Sequence, residues 1–175
     1  SLIARLTYYV MDHRRIEKEI HDLKKFYESI VENLQSAVLV MDQEHKVIYA
    51  NRYLTKLAGV RPDQVVGTTP INAGKTIANL DISEFIKKYQ EAAERLEPLF
   101  FENLHMVTPR SNFIYNSGWL IPLLTETKAF NGMICTFRDT SYAHALFSLL
   151  AQTVEHLPEG VAILQQNDVG ELPST

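Results

Sequence analysis

The chain has 175 residues and a net charge of −4, with 46% apolar and 22% charged residues. That length suits one domain with appendages, and the composition suffices for a core. The acidic balance, with basic residues mixed among acidic ones, excludes the electrostatic footprint of a nucleic-acid binder.

A single cysteine, Cys135, rules out an internal disulfide and makes the reducing cytosol the simplest compartment. No apolar run approaches the ~20 residues of a bilayer span, and the first residues lack the order of a signal peptide. The chain opens in mid-helix, so it reads as a fragment of a longer parent, which a membrane anchor would still suit.

Residues 1–34 read as one long helix. Leu2, Leu6, Tyr9, His13, Ile16, Ile20, Leu23, Tyr27, Ile30 and Leu34 follow an unbroken 4-3 spacing. A 3.5-residue repeat of this length predicts a left-handed coiled coil. Its dimer seam would hold Ile16, Ile20, Leu23, Tyr27 and Ile30. The alternative is a single helix packed on its own domain. Arg14, Arg15, Glu17, Lys18, Glu19, Asp22, Lys24 and Lys25 form a solvated face between these positions.

A hairpin follows. Ala37-Val38-Leu39-Val40-Met41 is an apolar run of strand length, Asp42-Gln43-Glu44-His45 a polar turn, and Lys46-Val47-Ile48-Tyr49-Ala50 a second strand. Asn51 stands where an N-cap belongs, Gly59 where that helix ends, and Pro62 in the first turn of another short helix closed by Gly67. Residues 68–80 read as loop with a turn of helix. Asp81 and Glu84 have the spacing of a capping box before a helix whose apolar stripe is Ile82, Phe85, Ile86, Tyr89 and Leu96. Pro98 stops it. Strands are expected over 99–108, 113–125 and 130–138. A last helix starts near Ser141, with Ala145, Leu146, Leu149, Leu150 and Val154 on its inner face. The expected layout is α+β, an antiparallel sheet with helices over one face.

The hairpin runs Ala37-Val38-Leu39-Val40-Met41-Asp42 and Val47-Ile48-Tyr49-Ala50-Asn51, with Leu57-Ala58-Gly59 and Val65-Val66-Gly67, resemble the opening of a PAS domain. Gly118-Trp119-Leu120-Ile121-Pro122 resembles that family's fourth strand. Phe130-Asn131-Gly132-Met133-Ile134 with Arg138-Asp139-Thr140 resembles its fifth strand and closing Asp-x-Thr motif, here without the middle residue. The resemblance covers about residues 28–141. It implies a five-stranded antiparallel sheet between a long N-terminal helix and a C-terminal helix. The expected division is a signalling helix over 1–34, the PAS domain over 35–140, a connector helix over 141–157 and, over 158–175, the start of a second such domain or a disordered tail. An internal echo bears on the last segment. Val31-Glu32-Asn33-Leu34-Gln35-Ser36-Ala37-Val38 recurs as Val154-Glu155-His156-Leu157-Pro158-Glu159-Gly160-Val161, either by duplication or by chance likeness of two helix-to-strand junctions.

Candidate chemistry is sparse. Gly74-Lys75-Thr76 is like the end of a phosphate-binding loop, but Thr69 stands where the first glycine belongs. The histidines His13, His21, His45, His105, His144 and His156 show no metal-ligand pairing. Haem-binding members of the family use a histidine on the longer helix, and residues 82–97 have none; His105 would be an atypical ligand. Flavin photosensor members carry a cysteine in an Asn-Cys-Arg-type motif before that helix, absent here. The cofactor is therefore unassigned, with haem and flavin disfavoured. His21-Asp22-Leu23 has a faint likeness to a kinase phosphoacceptor helix, but the heptad accounts for Leu23. No catalytic triad or carboxylate pair stands out, so the chain is not expected to be an enzyme in its own right.

The resemblance implies a pocket between the sheet and the longer helix. Its candidate lining is Phe85, Tyr89, Tyr115, Trp119, Met133 and Cys135, with polar contacts from Asn103, Asn116 and Ser117. A filled core without ligand is the alternative. Asp139 and Thr140 would form the junction that passes a signal to the exit helix. The function implied is a sensory relay in a cytoplasmic homodimer. Its output domain, a histidine kinase, cyclic-dinucleotide enzyme or transcription activator, would lie elsewhere in the parent. The rival is a ligand-free dimerisation module.

Overall fold

The computed structural model describes residues 1–155. The expected tail or second domain over 158–175 lies outside the described residues. Helix α1 (Leu2–Glu32) is followed by strands β1 (Ala37–Asp42) and β2 (Val47–Ala50). Helices α2 (Arg52–Ala58), α3 (Pro62–Val65), α4 (Pro70–Thr76) and α5 (Ser83–Arg95) come next, then strands β3 (Leu99–Val107), β4 (Phe113–Leu124) and β5 (Phe130–Asp139), and helix α6 (Ser141–Glu155). The five strands form one antiparallel sheet in the order β2-β1-β5-β4-β3, so β5 closes between β1 and β4.

The β1–β2 turn forms because Asp42 folds back on it. Its Oδ1 accepts from the amides of Glu44 and Lys46 at 2.9 Å each, and His45 takes a left-handed φ of 63°. Helix α2 starts at Asn51, as its sequence position predicts, and ends at Gly59 with φ 67°. Glycine suits that left-handed cap because a Cβ would be strained there.

Two local details differ from expectation. Residues 68–80, expected as loop with a turn of helix, hold the seven-residue helix α4, with Pro70 in its first turn and Thr69 Oγ1 accepting from the Asn72 amide at 3.2 Å. Gly74 lies inside this helix, facing Ile82, so the Gly-Lys-Thr stretch has no strand-to-helix phosphate loop. The capping box of Asp81 and Glu84 does not form. Asp81 instead pairs its backbone with Val107, at 2.9 and 3.0 Å, while Glu84 Oε2 accepts from the His105 amide at 2.8 Å. Asp81 Oδ1 accepts instead from the Ser83 amide at 3.0 Å, while its backbone is held by β3.

The core lies between the inner face of the sheet and α2 and α5. Leu39 and Met41 of β1, Leu120 of β4, Met133, Cys135 and Phe137 of β5, and Phe85, Tyr89 and Ala92 of α5 meet there. Gly118 is required by close approach. A Cβ on it collides with the Thr136 carbonyl oxygen and comes within 3.1 Å of the Phe101 ring.

Helix α1 buries no residue. Its heptad positions, Ile20 and Leu23 among them, are exposed along the whole length. Only its last turn, through Val31 and Glu32, meets the domain. Helix α6 departs from expectation more sharply. Ser141, His144 and Ser148 are its half-buried residues, whereas Ala145, Leu146, Leu149, Leu150 and Val154 are exposed. Its apolar side turns away from the domain.

Candidate functional site

Strand pleating decides which candidates meet. On β4 the inward positions are Asn116, Gly118 and Leu120, and their neighbours point outward. Tyr115, Ser117 and Trp119 therefore leave the inner face, contrary to expectation. Trp119 is 46% exposed and packs on Phe100 of β3, ring centroids 5.0 Å apart. The physical reason is an inverted polarity pattern: an amide and a glycine face in while the indole faces out, and a one-residue phase error moves every side chain to the opposite face. Asn103 also fails to join the site. It sits exposed at a bulge of β3 with φ 52°, its amide 3.4 Å from Ser117 Oγ.

Phe85, Tyr89, Met133 and Cys135 do lie on the inner side. Cys135 is opposite Leu39 and Leu120 in the sheet and fully buried. Burial pushes its thiol far above the usual range, which leaves it an inert packing group. Phe85 contacts Phe137 at 5.2 Å between centroids and lines a cavity of about 70 Å³. Leu39, Val60, Ala73 and Met106 complete much of the wall, and no polar side chain is part of it. Small residues on α2 and α4, Ala58 and Ala73, leave this space open. Sequence reasoning missed them because a lone alanine carries no pattern.

Tyr89 faces a separate surface groove of about 450 Å³ with His45 and Phe130. His45 Nδ1 lies 2.6 Å from Tyr89 Oη, and the imidazole stacks on Phe130 with centroids 4.7 Å apart. Burial, then the nearby Cys135 and Asp42, raises the Tyr89 phenol well above its ordinary value. The contact ties the β1–β2 turn to α5. Among the described residues, no three metal-ligating side chains come together.

Two buried asparagines contrast. Asn51 is fully satisfied. Its Oδ1 accepts from the amides of Val38 (2.9 Å) and Leu54 (3.0 Å), and its Nδ2 donates to the carbonyls of Val31 (3.0 Å) and Ser36 (2.9 Å). One side chain thereby joins the end of α1, the start of β1 and the start of α2. Asn116 is also 0% exposed, yet neither its Nδ2 nor its Oδ1 has a partner among the described residues.

Both flanking helices are fastened at their domain ends. Glu32, the last residue of α1, accepts from Tyr49 Oη at 2.6 Å and from the Arg52 amide at 3.0 Å. At the other end, the Thr140 amide donates to the Tyr115 carbonyl at 2.7 Å and its Oγ1 does so at 3.2 Å. The Tyr115 amide in turn donates to Ser141 Oγ at 2.9 Å. Asp139 Oδ1 accepts from the Ser141 amide at 2.9 Å, in the first turn of α6. Asp139 and Thr140 thus occupy the junction, and Tyr115, expected in the pocket, is their anchor. No helix among the described residues is long and apolar enough to cross a membrane.

Known structures share this fold. A PAS domain from Colwellia psychrerythraea is 18% identical, with a TM-score of 0.53, over 69% of this chain and 98% of its own. The PAS domain of an HTR-like protein from Haloarcula marismortui is 16% identical, with a TM-score of 0.54, over 72% of this chain and 98% of its own. An RNA-binding Light-Oxygen-Voltage receptor is 15% identical, with a TM-score of 0.61, over 76% of this chain and 37% of its own. No curated protein matches the chain. The family model described as the PAS fold matches residues 25–140, a span that begins inside α1 and ends at the junction with α6. With the sheet order and the helices over one face, that match establishes that the chain belongs to the PAS fold family.

Proposed function

We propose that this chain is a signal-relay module in a dimeric, cytoplasmic signalling protein, binding a small ligand at the inner face of its sheet. Domains of this family are sensory modules. The observation that carries the finer reading is the fastening of both helices. Their domain ends are hydrogen-bonded to β2, α2 and β4, while their apolar stripes stay exposed. A displacement of the sheet would move Tyr115 and Tyr49, and the two helices with them. A ligand biases such a switch only by binding one arrangement more tightly than the other.

The exposed stripe of α1 would pair with a second copy, and α6 would lead to an output domain of the same polypeptide. The chain itself would do no chemistry. No nucleic acid is part of the reading; RNA binding belongs to the light-oxygen-voltage receptor named above. The residues that line the cavity include no histidine to ligate a haem iron, and neither haem nor flavin is part of the reading.

Native mass spectrometry of gently purified protein, with thermal-shift measurements over a metabolite panel, tests this. A retained small molecule, or a stabilising one, supports ligand sensing. A clean spectrum with no shift across the panel leaves a ligand-free dimerisation module.

A further inference from the structure

The start of α1 carries no charge on the side that a coiled coil turns to water. In the register set by Leu6, Tyr9, Ile16 and Ile20, the outward positions of residues 2–11 are Ala4, Thr7, Tyr8 and Met11. From residue 12 onward the same positions hold Arg14, Arg15, Lys18, His21, Asp22 and Lys25. Tyr8 is 74% exposed and Met11 68% exposed. Thr7 adds no free donor, because its Oγ1 donates to the Ile3 carbonyl at 2.8 Å. Leu2, Ile3, Leu6, Tyr9 and Val10 are exposed as well, so the segment is apolar on every side. A helix apolar all round needs an apolar surrounding. A second copy does not supply it, since pairing covers the seam and its flanks and leaves the outward positions in water. The surplus apolar surface therefore exists whether or not the seam pairs.

We propose that residues 2–11 of α1 dock into the surface of an anionic lipid bilayer, and that the charged part of the helix begins where the lipid ends. At about 1.5 Å per residue the segment is about 15 Å long, the hydrocarbon depth of one leaflet. Entry into one leaflet matches this length, whereas no helix among the described residues is long and apolar enough to cross a membrane. Tyr8 and Tyr9 stand next to the charged stretch, and rings with a polar tip suit the headgroup level. Arg14, Arg15 and Lys18 follow, and basic side chains just outside an apolar segment attract anionic headgroups. Arg15 is shared with Asp12 at 2.9 Å, but Arg14 and Lys18 enter no ion pair among the described residues. Arg5 is the one charge within the segment, and its long stem lets the guanidinium reach the headgroups.

The test floats the 175-residue chain with vesicles of phosphatidylcholine alone or mixed with phosphatidylglycerol, and follows hydrogen exchange of the bound chain. The mixed vesicles should bind it about tenfold more strongly, and Arg14→Gln with Arg15→Gln should erase that preference. Amides of residues 2–11 should gain protection on binding while those of the sheet stay unchanged. Tyr8→Glu with Met11→Glu alters outward positions only, and should weaken binding to either vesicle by about tenfold while leaving sedimentation without lipid unchanged. Failure of the unaltered chain to float with either vesicle overturns the proposal. So does undiminished binding of the Tyr8→Glu, Met11→Glu variant, or protection that appears on α6 in place of residues 2–11. If the chain alone forms assemblies larger than a dimer, and that variant dissolves them, the surface belongs to further copies and the proposal falls.

Discussion

The ring of Tyr115 on β4 and the imidazole of His144 on α6 lie nearly parallel, 10° apart, with centroids separated by 3.8 Å. This stack, with the backbone bonds beside it, holds the exit helix to the sheet. Replacing His144 by alanine removes the ring and keeps those bonds. The stack contributes about 1 kcal/mol. Amides of α6 should lose roughly fivefold of their hydrogen-exchange protection in His144→Ala, since about 1.4 kcal/mol corresponds to a factor of ten. Sheet amides should stay unchanged. Uniform loss across the domain would mean that α6 is not a separable unit.

Asn51 is expected to be the most sensitive polar position. Asn51→Ala orphans the buried amide of Val38 and frees the end of α1. With four bonds lost at about 1 kcal/mol each, chemical denaturation should show a loss of about 3–4 kcal/mol.

Gly118→Ala drives a methyl group into the Thr136 carbonyl. Strands β4 and β5 must part or twist, at about 1–3 kcal/mol as for other overpacked sites. Gly67→Ala serves as a comparison, since a Cβ there meets nothing within 4 Å although φ is 83°. Its cost is conformational and should be about 1 kcal/mol.

For the helix seam, Ile20→Lys or Leu23→Lys places a charge among apolar neighbours of the proposed dimer. Sedimentation should shift from dimer to monomer while the sheet domain keeps its spectrum. An unchanged sedimentation coefficient would sink the coiled-coil reading.

Tyr49 supplies a pH dependence. Burial, then the bond to Glu32, raises its phenol well above 10.0. The folded state therefore keeps a proton that the unfolded chain releases near pH 10. The resulting stabilisation is complete below pH 10 and falls as pH climbs toward the folded value. Tyr49→Phe should flatten part of this alkaline decline in pH-dependent denaturation, with Tyr89, also raised, supplying the rest.

Much of the architecture was legible from pattern. The β1–β2 hairpin, the N-cap at Asn51, the left-handed Gly59 and the three later strands follow from alternation and turn chemistry. What failed has a common cause. Residues 70–76 contain Pro, Asn and Gly, yet fold as a helix because they cover the cavity beside Phe85. On β4, Trp119 points outward and Asn116 inward, so hydrophobicity assigns the wrong face. The apolar stripe of α6 points to an inner face by periodicity, and nothing local says that His144 is the residue meeting the sheet. Tertiary pairing sets each of these, and it is invisible to local spacing. At the candidate site, Phe85 was recoverable from helical periodicity, whereas Ala58 and Ala73 matter through what they lack.

The four bonds of Asn51 carry a mechanical consequence. Fraying of the last turn of α1 breaks the Nδ2 bond to Val31 and so loosens the same side chain that holds the amides of Val38 and Leu54. A pull or twist applied along α1 is thus transmitted to the first strand as load, not dissipated as melting of the helix end. The coupling is shared by the Asn51 carboxamide and the Glu32 carboxylate, and Asn51→Asp, which keeps the acceptors but turns a carboxylate oxygen toward the carbonyls of Val31 and Ser36, would leave Glu32 alone to hold the end of α1.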